Sequence, residues 1–131
     1  MSCSVYRIQD QDGRGPFRPG FSHIWLDEDI GERYQRNRSW MEEFGADLIA
    51  RLGLPGEFYG SAVRHREELN GWFSTTEQRR LKHMGFHIVV LDADRILAES
   101  TIQVVFARSR PLTEVIVIVP FLNQLARVRG A

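Results

Sequence analysis

Phe86-His87-Ile88-Val89-Val90-Leu91, Thr101-Ile102-Gln103-Val104-Val105-Phe106 and Val115-Ile116-Val117-Ile118-Val119 fill the last third of the chain with β-branched and aromatic residues. That composition fits a pleated, half-buried surface and predicts strands. Between the first two runs, Asp92-Ala93-Asp94 is a break and Arg95-Ile96-Leu97 is a further short run. Connections this short predict antiparallel pairing of successive strands, because a parallel crossover needs about a dozen residues. Val115 to Val119 is apolar on both faces and stops at Pro120. It is either central in a sheet or an edge that a partner covers. Phe121 to Val128 then closes the chain with an amphipathic turn or two.

Working back from these strands, Ser74 stands three residues before Glu77, the spacing of a capping box. The helix it opens runs to His83 or Met84, with Gly85 as its C-terminal cap. Glu67 to Phe73 forms one or two helical turns interrupted at Gly71, residues 57–63 carry no clear pattern, and Leu54-Pro55-Gly56 is a turn. Upstream, Ser39 and Glu42 repeat the capping-box spacing. Trp40, Phe44, Leu48, Ile49 and Leu52 follow at helical intervals up to Gly53, predicting one continuous helix. Asp27, Glu28, Asp29 and Glu32 precede Arg33, Arg36 and Arg38, a sign switch that suits a short exposed helix or a solvated loop. Val5-Tyr6-Arg7-Ile8 reads as a first strand, ended by Asp10-Gln11-Asp12-Gly13. Gly13 to Gly20 holds three glycines and two prolines, chemistry that forbids regular ladders, and a stretch of this kind is functional or packed by its own aromatics. The fold class is therefore α+β, one domain over residues 1–131, with an N-terminal strand, central helices and C-terminal antiparallel strands.

The 131 residues balance 17 basic against 17 acidic side chains. Zero net charge argues against a dedicated nucleic-acid binder, whose affinity comes from clustered excess cations. No window approaches about 18 consecutive apolar residues, so no membrane span is expected. The lone Cys3, placed in a frayed N-terminus, excludes an intramolecular disulfide and a cysteine-rich metal site, which fits a reducing, cytoplasmic setting. His83 and His87 are four apart, but Gly85 ends the helix between them, and no metal site follows. There is no Gly-x-Ser-x-Gly elbow and no phosphate-binding Gly-Lys-Ser/Thr loop. Every basic residue except Lys82 is arginine, a planar fork suited to carboxylate, phosphate or aromatic partners.

One constellation stands out: Val5-Tyr6-Arg7, Asp10, Gly13-Arg14, Pro16-Phe17, Gly20-Phe21 and Trp25. It resembles the opening of bacterial ADP-ribosylating toxins of the pertussis and cholera type. The resemblance implies an ADP-ribosyltransferase-like fold, with Arg7 and Tyr6 on the cofactor NAD, Ser74 in the Ser-Thr segment that supports the pocket, and Gln103 in the later Gln-x-Glu position. An arginine fork on a rigid strand grips a pyrophosphate or ribose hydroxyl through paired contacts. The same Arg7 also has a purely structural reading, paired to Asp10 or Asp12. Val105 stands where that family carries its essential glutamate, which weighs against catalysis and against any bound cofactor, and leaves Glu99 as a substitute carboxylate only if the protein is an enzyme.

The chain is also similar to small proteins encoded by bacteriophages and prophages, through Tyr6 to Pro16, Glu67-Glu68-Leu69 with Trp72-Phe73, and Gln103 to Arg108. That resemblance implies an accessory protein in the bacterial cytoplasm that neutralises a host defence by binding a host protein complex, such as a CRISPR effector. Charge clustering offers Asp27, Glu28 and Asp29, together with Arg14 and Arg18, as the partner-binding residues. The alternatives are an active NAD-dependent mono-ADP-ribosyltransferase and a virion-associated structural protein. An aromatic-lined cleft beside Arg7 is the feature that separates the first reading, the inhibitor, from the last, the structural protein.

Overall fold

The computed structural model describes residues 3–17, 21–27 and 40–121. Six strands form two antiparallel sheets. Strands β1 (Cys3–Gln9), β3 (His87–Ala93) and β6 (Val117–Val119) make the first, in the order β1-β3-β6. Strands β2 (Phe58–Ala62), β5 (Val104–Arg108) and β4 (Arg95–Glu99) make the second, in the order β2-β5-β4. Among the described residues four short α-helices accompany them, α1 (Trp40–Phe44), α2 (Ala46–Ile49), α3 (Leu69–Trp72) and α4 (Thr75–His83), with 3-10 turns at Ser22–Ile24 and Arg66–Glu68. The architecture is α+β, with antiparallel pairing throughout, as the sequence predicts.

The strand alternation fixes what each face does. In β1, Val5 joins Val89, Leu91 and Ala93 of β3 and meets Ala62, Val104 and Phe106 of the second sheet in one apolar cluster. The two sheets therefore share a core. Ile8 and Ile88 belong instead to a cluster with Trp25, Phe73, Leu81 and Phe86, under α3 and α4. Val105 and Ala107 of β5 carry a third cluster with Leu97 and Leu48, against which Trp40 and Phe44 pack. Arg108, fully buried at the end of β5, ties down the following loop by donating to the carbonyls of Pro111 (2.9 Å) and Glu114 (2.5 Å).

Several expectations are corrected. The closing strands are not one meander: β3 pairs with β1 and β6, and the chain crosses at Asp94 into the second sheet, where β4 pairs with β5. Asp94 N donates to Ala107 O at 2.9 Å and pins that crossing. The helix expected from Trp40 to Leu52 is broken at Gly45, whose φ of 81° lies in the left-handed region that glycine alone enters cheaply. Its apolar stripe survives as packing on the second sheet. Residues 58–62 form β2, a strand that Gly60 and Ser61 disguise in the sequence. Gly71 does not interrupt α3, which spans it. Cys3 is not frayed but opens β1 opposite Ala93. The α4 capping box forms as expected: Ser74 Oγ accepts from Glu77 N at 3.1 Å and the Glu77 carboxylate accepts from Ser74 N at 2.9 Å. Among the described strands Val117–Val119 lies at the edge of its sheet and not at its centre, with Ile116, Val117 and Ile118 exposed. The segment from Glu28 to Ser39 and the chain beyond Phe121 lie outside the described residues.

Candidate functional site

Val5, Arg7 and Gln9 alternate onto the face of β1 turned toward the second sheet. Arg7 therefore points its guanidinium at the seam between the sheets, where it is 8% exposed. Its Nε donates to Gln9 Oε1 (2.8 Å), Nη1 to the Ser61 carbonyl of β2 (3.0 Å), and Nη2 to the Gly13 carbonyl (2.9 Å). Gln9 is in turn fixed by donating through Nε2 to Leu112 O at 2.7 Å. All three acceptors on Arg7 are neutral oxygens, so its charge is not cancelled in place. Asp10 contributes only a longer-range attraction, and burial holds the Arg7 pKa down to about 10. Of the five guanidinium N–H groups, three are engaged by these bonds, and the other two have no acceptor among the described residues.

The guanidinium lines a cleft of about 590 Å³, within the range that holds a small organic ligand. One wall is the loop after β1, supplying Arg14, Gly15, Pro16 and Phe17; a second is β2, supplying Tyr59 to Ala62. Trp72 and Phe73 come from α3 and the turn after it, Trp40 from α1, and Gln103 from the start of β5. The loop owes its shape to Asp10, whose Oδ1 accepts from the backbone N–H groups of Asp12 (2.9 Å) and Arg14 (3.0 Å). The aromatic wall is braced edge-on: Phe17 stands 5.1 Å from Trp25 and 5.8 Å from Trp72, ring centre to ring centre. Trp25 donates through Nε1 to Pro16 O (3.1 Å) and Trp72 to Ile102 O (2.7 Å), so both indoles are held by their polar ends. Among the described residues no acidic side chain lines the cleft. Cations, donors and flat rings facing one space make it complementary to an anion that carries an aromatic group.

The structure brings together some of the residues singled out in the sequence and separates others. Arg7, Arg14 and Gln103 line the cleft. Tyr6 does not: it packs beside the α3 and α4 cluster, and its backbone bridges to Val63. Ser74 is used as the cap of α4 and is not part of the lining. Arg7 meets instead the backbone carbonyl of Ser61, in the segment 57–63 that carries no clear pattern in the sequence. Glu99 is away from the cleft in a paired contact with Arg64, at 2.5 and 2.8 Å, which pulls its carboxyl below the usual range. Val105 is fully buried with Leu48, Leu97 and Ala107. Arg14 is exposed and paired with Asp10 (3.4 Å) and Asp12 (3.0 Å). Arg7 itself makes no direct ion pair with either aspartate, so the structural pairing considered for it is replaced by carbonyl and amide contacts. Asp27 donates its backbone N–H to Glu77 Oε2 at 2.8 Å, while Glu28, Asp29 and Arg18 lie outside the described residues. No cluster of three metal-ligating side chains occurs among the described residues, and no described helix is long and apolar enough to cross a membrane.

No curated protein and no solved structure matches the chain. A family model described as Bacteriophage T4 Y00F protein matches residues 1–117, a span that takes in both sheets from β1 to the start of β6 and every described residue lining the cleft. With nearly the whole fold inside that match, the chain belongs to the Bacteriophage T4 Y00F protein family.

Proposed function

We propose that this phage protein holds a phosphate-bearing aromatic small molecule in the cleft on Arg7, with NAD as the ligand that the likeness to ADP-ribosyltransferases implies, and acts on its host through that site. The observation that carries the reading is the buried Arg7 guanidinium: its charge is balanced only by neutral oxygens, and two N–H groups are left for a ligand. A buried cation of this kind gains most from an anion delivered into the same low-dielectric space. Trp40, Tyr59, Phe17 and Trp72 supply flat apolar surface for a base or a pyridine ring. The site reads as a binding site before a transferase site. Position 105 is a valine sealed under α2, and Glu99 is occupied by Arg64, so neither places a carboxylate against a ligand in the cleft. Thermal denaturation of the purified protein with and without millimolar NAD tests this. Stabilisation supports the reading, since a ligand that binds only the folded state raises its stability by mass action. An unshifted melt at saturating concentrations sinks it. Incubating host lysate with labelled NAD and the protein separates binding from transfer, because only a transferase leaves label on a host protein.

A second reading, inhibition of a host defence complex such as a CRISPR effector by protein contact, draws on a different observation. Ile116, with Val117 and Ile118 of the edge strand β6 after it, is exposed to solvent, and no described strand pairs with the outer side of β6, the surface that β-strand addition uses. Paired replacement of Ile116 and Ile118 by lysine tests it. Inhibition of the defence complex lost with the fold intact supports the reading, and inhibition unchanged removes β6 from the interface.

A further inference from the structure

Gln103 is a cleft residue whose side chain is oriented by an acid from another element, Glu43 of α1. It stands immediately before β5 and is 5% exposed. Its backbone is fixed by Ser100: Ser100 N donates to Gln103 O at 2.9 Å, and Ser100 Oγ accepts from Ile102 N (3.2 Å) and Gln103 N (3.3 Å). The same hydroxyl donates to Glu43 Oε1 at 2.6 Å, and Gln103 Nε2 donates to that oxygen at 3.1 Å. A carboxylate is an acceptor only, so the amide must turn its NH2 group toward Glu43; the flipped amide would set oxygen against oxygen. Oε1 is thereby directed away from Glu43, and it has no donor among the described residues. A buried amide oxygen left unmatched carries a desolvation cost that a ligand donor removes. Glu43 lies three residues after Trp40 on α1, so the two share a helix face, and Trp40 lines the cleft.

We infer that Glu43 is a positioning residue that locks the Gln103 amide, and that Gln103 Oε1 is the acceptor by which the cleft selects ligands carrying an N–H or O–H donor as well as an anion. The inference rests on the reading of the cleft as a ligand site. Arg7 offers the ligand donors only and Gln103 Oε1 offers an acceptor, so an anion without a donor satisfies one end of the site and leaves the other unmet. A dinucleotide with a second ribose or a carboxamide meets both.

The test uses NAD and inorganic pyrophosphate as probes, because pyrophosphate keeps the anion and lacks the ribose hydroxyls, base amine and carboxamide that supply donors. In calorimetric titrations Gln103→Leu is expected to weaken NAD about five- to tenfold, the loss of one buried hydrogen bond, and inorganic pyrophosphate less than about twofold. Glu43→Gln is expected to weaken NAD by a smaller factor. The double variant should bind NAD no more weakly than Gln103→Leu alone, because the effect of Glu43 on the ligand is routed through the Gln103 amide. Equal losses for NAD and pyrophosphate, or additive losses in the double variant, overturn the inference. So does NAD binding that is weakened by Arg7→Lys yet unchanged in Gln103→Leu and Glu43→Gln, and that result leaves the cleft reading standing. Wild-type protein that binds neither probe overturns the cleft reading and this inference with it.

Discussion

Gly60 lies against the guanidinium of Arg7: a Cβ at position 60 would stand 3.1 Å from Arg7 Nη1 and 3.0 Å from Phe106 Cε1. The missing side chain is what lets the arginine reach the Ser61 carbonyl in the seam between the sheets. Gly15 flanks the other side of the same group, but a Cβ there would stand 3.6 Å from Nη2, an ordinary contact. Gly60→Ala is expected to cost about 1–3 kcal/mol, the range for overpacking a core, and to weaken NAD binding with it. Gly15→Ala should stay within about 1 kcal/mol. Urea denaturation of the two variants checks the contrast.

Ser74 separates capping from ligand binding. Its hydroxyl accepts from Glu77 N, and Glu77 is fully buried, with its carboxylate taking the N–H groups of Ser74 and Asp27. Ser74→Ala should cost about 1 kcal/mol, as loss of an N-cap does, and leave the NAD affinity unchanged. A large loss of affinity with little loss of stability would restore Ser74 to the site.

Glu99→Gln tests whether the Arg64 pair has any part in function. Both side chains are about two-fifths exposed, at 39% and 42%, so the pair should contribute less than about 1 kcal/mol. Because Arg64 lowers the Glu99 pKa in the folded protein, the contribution is present above the ordinary value of 4.5 and fades as pH falls through the lowered folded value. The difference in melting temperature between wild type and Glu99→Gln should therefore shrink in acid, while NAD binding stays the same in both at neutral pH.

The charge on Arg7 predicts a pH limit for the ligand. In the free protein its pKa is lowered to about 10 by burial. An anion stabilises the charged guanidinium, so affinity should be flat from about pH 7 to about pH 9 and fall as pH rises through that value. Isothermal titration across this range reads it directly. An affinity that rises with pH would place the anion elsewhere.

Much of this arrangement was legible in the residues. The alternation of β1 put Arg7 on a strand beside an irregular loop, and the capping box of α4 was readable from Ser74 and Glu77 alone. The strand β2 was not, because Gly60 and Ser61 are poor strand formers in isolation; the glycine gives Arg7 its close approach, and the carbonyl it meets at Ser61 is one any residue supplies. The stripe from Trp40 to Leu52 gave the right packing face and the wrong continuity, since periodicity is blind to a single left-handed glycine at position 45. Short connections announced antiparallel strands but not that β3 and β4 lie in different sheets, a choice made by the shared core of Val5, Leu91, Val104 and Phe106. Gln103 was visible as a polar residue opening an apolar strand. Its clamp by Glu43 is a contact across 60 positions that no local pattern carries.

Calorimetric titration of NAD into the wild type and Arg7→Lys, each first shown to be folded by its melting transition, tests the central claim most directly. Lysine keeps the charge and loses the planar fork that three carbonyl and amide oxygens hold in place. The account predicts one NAD per chain in the wild type and affinity at least about tenfold weaker in the variant. Equal binding by both proteins, or none by the wild type at millimolar NAD, would contradict it.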